Sequence, residues 1–101
     1  MDIRILTAAE LDEAISLAKE VILSETDVSW SKEAANSISE FMTERLNQFT
    51  VYGLYAKGLE SILVYDSDKM HIILLLTKQA SRKKGYATAL LNRLKEEADE
   101  N

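Results

Sequence analysis

An apolar run, a short polar segment and an amphipathic pattern follow one another late in the chain, and this order constrains the fold more than any other feature. The apolar run covers Ile72–Thr77, and the polar segment contains Arg82–Ala87, which reads Arg-Lys-Lys-Gly-Tyr-Ala. Beyond it, apolar residues recur at the spacing of one helical face, at Ala87, Leu90, Leu91, Leu94 and Ala98. The pattern predicts a buried strand, a loop and a helix in direct succession.

The start of that helix has the properties of an anion site. The first backbone N–H groups of a helix lack an intrahelical acceptor, and the helix dipole adds partial positive charge there. Gly85 lets a ligand approach the backbone closely, while Arg82, Lys83 and Lys84 place three cationic side chains beside it. We therefore expect a phosphate group at this loop. The alternative is a solvated basic loop with a glycine at its turn.

Composition excludes several classes of function. The 101 residues allow one domain at most, and 47% of them are apolar, which suffices for one core. A net charge of −5 argues against a nucleic-acid partner, although the segment Lys78–Lys84 is locally basic. The chain has no cysteine and one histidine, which excludes disulfides and argues against any metal site. No apolar run approaches the roughly 20 residues that span a bilayer, and no signal-peptide pattern is visible. We expect a cytoplasmic protein with no membrane partner.

Hydrophobic periodicity predicts the remaining elements. A first strand covers Ile3–Leu6, and Thr7 with Glu10 fits a capping box at the start of a helix. Ser31 is the expected cap of a second helix. Further strands are predicted at Phe49–Ala56, Ser61–Tyr65 and Met70–Thr77, with turns at Lys57-Gly58 and Asp66–Lys69. The last strand is continuously apolar, so we expect both its faces to be covered. The two helices are predicted to bury Leu11, Ala14, Ile15, Ala18, Val21, Ile22, Ala34, Ala35, Ile38, Phe41, Met42 and Leu46.

The spacing R-x-x-G-x-A resembles the acyl-CoA pyrophosphate loop of the GNAT superfamily, the acetyl-CoA-dependent N-acyltransferases. Those proteins carry Q/R-x-x-G-x-G/A between their fourth strand and a long helix. The resemblance implies an α+β, GNAT-like half domain with a mostly antiparallel four-stranded sheet and three helices, in the order β-α-α-β-β-β-α. Residues 1–101 would form a single domain that lacks the usual C-terminal strands and helix, either as a short member or as a fragment of a longer protein.

The resemblance also implies which residues bind acetyl-CoA. Backbone N–H groups of the loop would hold the pyrophosphate, with Arg82 and Lys84 as supporting charges, and the end of the preceding strand would bind the pantetheine arm through its main chain. The implied cofactor-binding residues are Leu75, Thr77, Arg82, Lys83, Lys84, Gly85, Tyr86, Ala87 and Thr88. This chain has Gln79 where family members often have proline. Tyr86 is expected to pack on the sheet rather than to face the ligand.

The sequence defines less clearly which residues would contact the substrate that accepts the acetyl group. Trp30, in the predicted loop between the first two helices, either contacts the substrate or fills the core. Glu25 and Asp27 in the same loop either attract a cationic amine or are simply solvated. His71 is either structural or a general base, since its ordinary pKa suits proton removal from an ammonium group. The usual general acid of the family is a tyrosine beyond the loop helix. This sequence has no residue at that position, so no catalytic residue is assigned.

The predicted function is transfer of an acetyl group from acetyl-CoA to a primary amine, a reaction that needs little beyond proximity and orientation. The alternatives are an inactive module that binds acyl-CoA or a protein, and a small domain whose basic loop binds another anion. Without a fifth strand, Ile72–Leu76 would form an exposed sheet edge, so we also expect a homodimer.

Overall fold

The described part of the chain, residues 2–25, 28–45 and 48–99 of a computed structural model, contains four strands and three helices in the predicted order. The strands are β1 (Asp2–Ile5), β2 (Thr50–Tyr55), β3 (Leu59–Asp66) and β4 (His71–Thr77). The helices are α1 (Leu11–Glu25), α2 (Val28–Arg45) and α3 (Tyr86–Asp99), and 3₁₀ turns cover Ala8–Glu10 and Gln79–Ser81. No helix in this part of the chain is long and apolar enough to cross a membrane.

The sheet is an antiparallel meander in the order β1-β2-β3-β4. Within the described residues β4 pairs only with β3, so its other side is a free edge. Val64 pairs with Leu74 and Tyr65 pairs with Ile72, which leaves Ile73 as an extra residue in β4. Such a bulge bends a strand and is common at sheet edges and beside functional sites.

Each face of the sheet is covered by its own helical layer. One core cluster joins α1 and α2 to side chains such as Ile62 and Val64, and the other joins α3 to Leu54 and Leu63. The alternation follows from the period of two along a strand, because neighbouring residues point to opposite faces. The α1 stripe is confirmed at Ala14, Ala18 and Val21, and Leu17 is buried as well.

The capping box predicted at the start of the first helix is present. The Thr7 side chain is paired with the Glu10 backbone, and in return the Thr7 N–H donates to Glu10 Oε1 at 3.1 Å. This hydrogen bond from the Thr7 backbone is the main reason why the pKa of Glu10 lies below its ordinary value. The box closes the 3₁₀ turn from which α1 continues.

The predicted start of the second helix is wrong. Helix α2 begins at Val28, so Ser31 lies inside it rather than at its cap, and Trp30 belongs to the helix instead of the loop. Serine costs only a few tenths of a kcal/mol inside a helix, so a polar stretch with several possible caps does not reveal which one is used. Asp27 and Leu46 lie outside the described residues, as do the side chains of Ala34 and Ala35.

The prediction that both faces of β4 are covered is also wrong, and helix α3 is incompletely covered as well. Leu91 is 38% exposed although Leu90 and Leu94 on the same helix are buried. Ile72 is also 38% exposed, and the rest of β4 is only half-buried. A strand with a single neighbour leaves its side chains partly uncovered, which agrees with the exposed edge expected at Ile72–Leu76. The side chain of Ala98 lies outside the described residues.

Candidate functional site

The segment between β4 and α3 turns sharply at two residues with left-handed backbone. It starts with a 3₁₀ turn in which the Ser81 N–H donates to the Lys78 carbonyl at 2.9 Å. Lys83 (φ 66°) and Gly85 (φ 79°) then both adopt positive φ. Glycine takes this conformation without steric cost, whereas for lysine it is uncommon. Turns of this kind form concavities lined by backbone N–H groups that bind anions.

Helix α3 starts directly after this turn. Its first intrahelical hydrogen bond runs from the Ala89 N–H to the Gly85 carbonyl, at 2.9 Å. The N–H groups of Tyr86, Ala87 and Thr88 therefore precede the hydrogen-bonded part of the helix and are available to an anion, where the helix dipole favours negative charge. The loop and the helix start together form one electropositive surface.

A small cleft of about 360 Å³ lies at this surface. Of the predicted cofactor-binding residues, those that line it are Thr77, Arg82, Lys83, Gly85, Tyr86, Ala87 and Thr88. The structure therefore brings the end of β4, the basic loop and the start of α3 to one concave place. Tyr86 also packs against the core cluster beneath α3, in agreement with the expectation that it packs on the sheet.

Two predicted residues lie elsewhere. Lys84 lines a larger neighbouring cleft of about 830 Å³ between α1, the β2–β3 turn and the loop. The Leu75 side chain packs on the α3 core cluster, so only its main chain is at the β4 edge. The two clefts share Ser81 and Tyr86, which makes them adjacent.

Of the candidate acceptor residues, His71 is described by the structure and lies away from the loop. His71 is exposed at the start of β4, and the six residue steps to Thr77 correspond to about 20 Å along the strand. The side chains of Trp30 and Glu25 lie outside the described part of the chain, as does the whole of Asp27. Their predicted contact with a substrate stays a prediction.

A set of polar residues that the sequence analysis did not single out lies directly behind the loop. Ser81 is 6% exposed and donates from its hydroxyl to Glu60 Oε2 at 2.8 Å. The next strand residue, Ser61, is fully buried and donates from its hydroxyl to the Leu76 carbonyl at 2.8 Å. The only signal in the sequence is a Glu-Ser pair at the start of an apolar strand, which by itself indicates no partner.

The other end of α3 is held to the sheet by a second polar cluster. The Tyr52 hydroxyl donates to Glu97 Oε2, and Arg93 Nε donates to Glu97 Oε1 at 2.9 Å. Burial raises the pKa of Tyr52 to about 12, with a further contribution from the hydrogen bond to Glu97. The same hydrogen bond is the largest reason why the pKa of Glu97 lies below its ordinary value. The Tyr52–Glu97 hydrogen bond thus connects the C-terminal part of α3 to β2.

Solved structures of acetyltransferases have the same arrangement of strands and helices. A possible acetyltransferase from Clostridium difficile 630 superposes with a TM-score of 0.67 at 17% identity, covering 99% of this chain and 72% of that one. The ribosomal-protein-alanine N-acetyltransferase from Brucella melitensis biovar Abortus 2308 gives 0.66 at 16%, covering 99% and 73%. The PaiA N-acetyltransferase from Thermoplasma acidophilum, solved in complex with coenzyme A, gives 0.69 at 13%, covering 99% and 74%.

The chain has the GNAT fold. The predicted fold class, an α+β four-stranded sheet with three helices, is therefore confirmed. No protein-family model matches the sequence, and no curated protein matches it. The solved structures share only 13–17% of their residues with this chain, so the likeness lies in the backbone.

Proposed function

We propose that this chain is a GNAT superfamily member that binds acetyl-CoA at the loop Arg82–Ala87 and transfers the acetyl group to a primary amine. The observation that carries the proposal is the small cleft, which combines the end of an edge strand, the basic loop and a helix N-terminus. The fold is that of acetyltransferases, and a neighbour with this fold was solved with coenzyme A.

The chemistry of the cleft suits each part of the cofactor. Backbone N–H groups at the start of α3 and the side chains of Arg82 and Lys83 favour the pyrophosphate. The free main-chain edge of β4 near Leu75 and Thr77 offers hydrogen bonds to the amides of the pantetheine arm, as a neighbouring strand would. The thioester is then held beside the sheet, where a neutral amine can attack it by proximity alone.

A titration with coenzyme A tests the cofactor site. The amide resonances of residues 83–88 and 75–77 are expected to shift on binding. Gly85→Asp is expected to abolish the shifts, since it adds a side chain and a negative charge beside the phosphate position and strains the positive φ. Gly58→Asp makes the same chemical change in a turn that faces open space, and binding is expected to persist. Unmoved loop amides at saturating coenzyme A would rule out the site.

Binding and turnover assays on the wild-type protein distinguish this proposal from its two alternatives. A chain that binds coenzyme A but acetylates no amine in a turnover assay is an inactive acyl-CoA-binding or protein-interaction module. A chain that binds inorganic phosphate as tightly as coenzyme A is a general anion-binding domain. Progressive release of free thiol in the presence of acetyl-CoA and an amine supports the transferase.

Three finer points belong to the same proposal. We propose that residues 1–101 form one GNAT-like domain; the chain spans 72–74% of the length of the three structures above. We further propose a cytoplasmic location and a homodimer. Cell fractionation tests the location, and the dimer is treated below at the scale of the whole molecule.

A further inference from the structure

Two adjacent residues of β3 hold the end of β4 and the loop together. The Ser61 hydroxyl donates its single proton to the Leu76 carbonyl at 2.8 Å, so the Thr77 hydroxyl, 2.7 Å from Ser61 Oγ, acts as the donor in their contact. Glu60 accepts twice: its backbone carbonyl from the Lys78 N–H at 2.9 Å, and its carboxylate from the Ser81 hydroxyl at 2.8 Å. We call Glu60, Ser61 and Ser81, with these contacts, the strand–loop clamp.

The clamp acts on the part of the loop that has little rigidity of its own. Position 79 is glutamine, so the 3₁₀ turn lacks the fixed φ that a proline would supply there. Within the turn the Ser81 N–H donates to the Lys78 carbonyl at 2.9 Å, and the Arg82 N–H donates to the Gln79 carbonyl over a long 3.3 Å. The side-chain hydrogen bond of Ser81 to Glu60 adds a restraint on the segment that leads to Arg82.

The placement of a carboxylate here argues against a simple electrostatic role. Glu60 lines the larger cleft beside Lys84, next to the loop that we propose binds phosphate. A negative charge close to an anion site weakens binding of the anion by repulsion. If Glu60 favours cofactor binding, it does so through its hydrogen bond to Ser81, which restrains the distance between the end of β4 and the loop.

We infer that Glu60 and Ser81 are positioning residues for the cofactor, acting through the strand–loop clamp; the inference rests on the proposed function. A ligand that contacts both β4 and the start of α3 needs these two surfaces at a fixed separation, and a supporting layer of hydrogen bonds supplies it. If Glu60 acts mainly by repulsion, loss of its side chain tightens coenzyme A binding. If it acts by positioning the loop, the same loss weakens binding.

The experiment measures the dissociation constant of coenzyme A and the urea unfolding free energy for the same set of variants. Ser81→Ala and Glu60→Ala are each expected to weaken binding about fivefold, the equivalent of one net hydrogen bond. Glu60→Gln keeps an acceptor oxygen and is expected to bind as tightly as the wild type or more tightly. The double variant is expected to lose no more than the single variants, since both break one contact.

Glu20→Ala is the matched control, since Glu20 is a carboxylate of α1 that lines the same larger cleft. Removing its charge is expected to leave binding unchanged or to tighten it. Amide hydrogen exchange at residues 82–85 adds a readout that does not need the ligand: faster exchange in Ser81→Ala at an unchanged global unfolding free energy is expected.

The outcomes separate the inference from the proposed function. If the wild type binds coenzyme A while Glu60→Ala binds more tightly and Ser81→Ala binds equally well, the clamp has no positioning role and the proposed function stands. If the wild type does not bind coenzyme A, both fall. Weaker binding in both alanine variants, with rescue in Glu60→Gln, supports the inference.

Discussion

At the scale of single residues, Tyr52 connects the sheet to the far end of α3. Its hydroxyl is hydrogen-bonded to Glu97, which Arg93 also contacts, and its ring belongs to the core cluster under the helix. The hydrogen bond joins β2 to the C-terminal part of α3, and the Tyr52 ring packs beneath the same helix.

The first prediction concerns the stability of the protein at high pH. The pKa of Tyr52 is raised from 10.0 to about 12, so between these values the unfolded chain loses the phenolic proton while the folded protein keeps it. The stabilisation is complete below pH 10 and is lost as the pH rises through 12. The unfolding free energy, measured in urea at a series of pH values, is expected to fall over this range.

Substitution of Tyr52 tests whether its hydroxyl causes the loss of unfolding free energy at high pH. Tyr52→Phe removes the hydrogen bond to a carboxylate and is expected to cost about 1–2 kcal/mol at neutral pH. It is also expected to reduce the alkaline slope without abolishing it, since burial raises the pKa of Tyr55 as well. Tyr55→Phe serves as the comparison and is expected to keep the contribution of Tyr52. An unchanged slope in Tyr52→Phe would contradict the role given to this hydroxyl.

At the scale of elements, strand β2 is packed so closely that one position has no room for a side chain. A Cβ atom added at Gly53 would lie 2.7 Å from Leu6 Cδ2 and 3.0 Å from Leu59 Cδ1, and both leucines are buried. Leu6, in the segment after β1, and Leu59 of β3 thus occupy the space over Gly53. Overpacking at such a site costs roughly 1–3 kcal/mol.

The second prediction compares two glycines. Gly53→Ala is expected to lower the unfolding free energy by about 1–2 kcal/mol, because a buried leucine must move. Gly58→Ala, in a turn with nothing within 4 Å of the added Cβ and no positive φ, is expected to raise it by about 0.4–1 kcal/mol through the loss of unfolded-state freedom. Urea unfolding of both variants checks the pair, and effects of the same sign would disprove the packing argument.

At the scale of the whole molecule, the free edge of β4 is an apolar edge without charged protection. The segment Ile72–Thr77 carries no charged side chain. Met70, just before the strand, is 75% exposed, and Ile72 within it is 38% exposed. Natural proteins usually protect such edges with charges or cover them. Pairing of β4 with β4 of a second copy would cover this edge. The two copies would be related by a two-fold axis, which is the commonest symmetry of oligomers.

The third prediction is that the chain forms a dimer. Size-exclusion chromatography with light scattering is expected to give about twice the chain mass of 11.4 kDa. The proposed cofactor contacts use Leu75–Thr77, so we place the pairing around Ile72, in the other half of the strand. Ile72→Lys is expected to yield monomers. Leu23→Lys, a matched change of an exposed leucine on α1, is expected to leave the dimer intact. A soluble wild-type monomer at micromolar concentration would refute the proposal.

The order of the elements and the position of the candidate loop were determined by the sequence alone. Both depend on signals between residues that are close along the chain: the period of two or 3.6 in apolar residues, the Thr7–Glu10 capping box, and a glycine among cations at a strand–helix junction. Such signals connect residues only a few positions apart, so they can be interpreted without knowing what packs against them.

Only the tertiary structure decided how far individual side chains are covered, so that Leu90 and Leu94 are buried while Leu91 on the same helix is 38% exposed. It also revealed the pairing of Ser81 with Glu60 and of Tyr52 with Glu97, partners separated by 21 and 45 positions in the chain. A single hydroxyl or carboxylate gives no sign of its distant partner. These contacts arise when hydrophobic burial brings the strands and helices together, and no local pattern of residues encodes them.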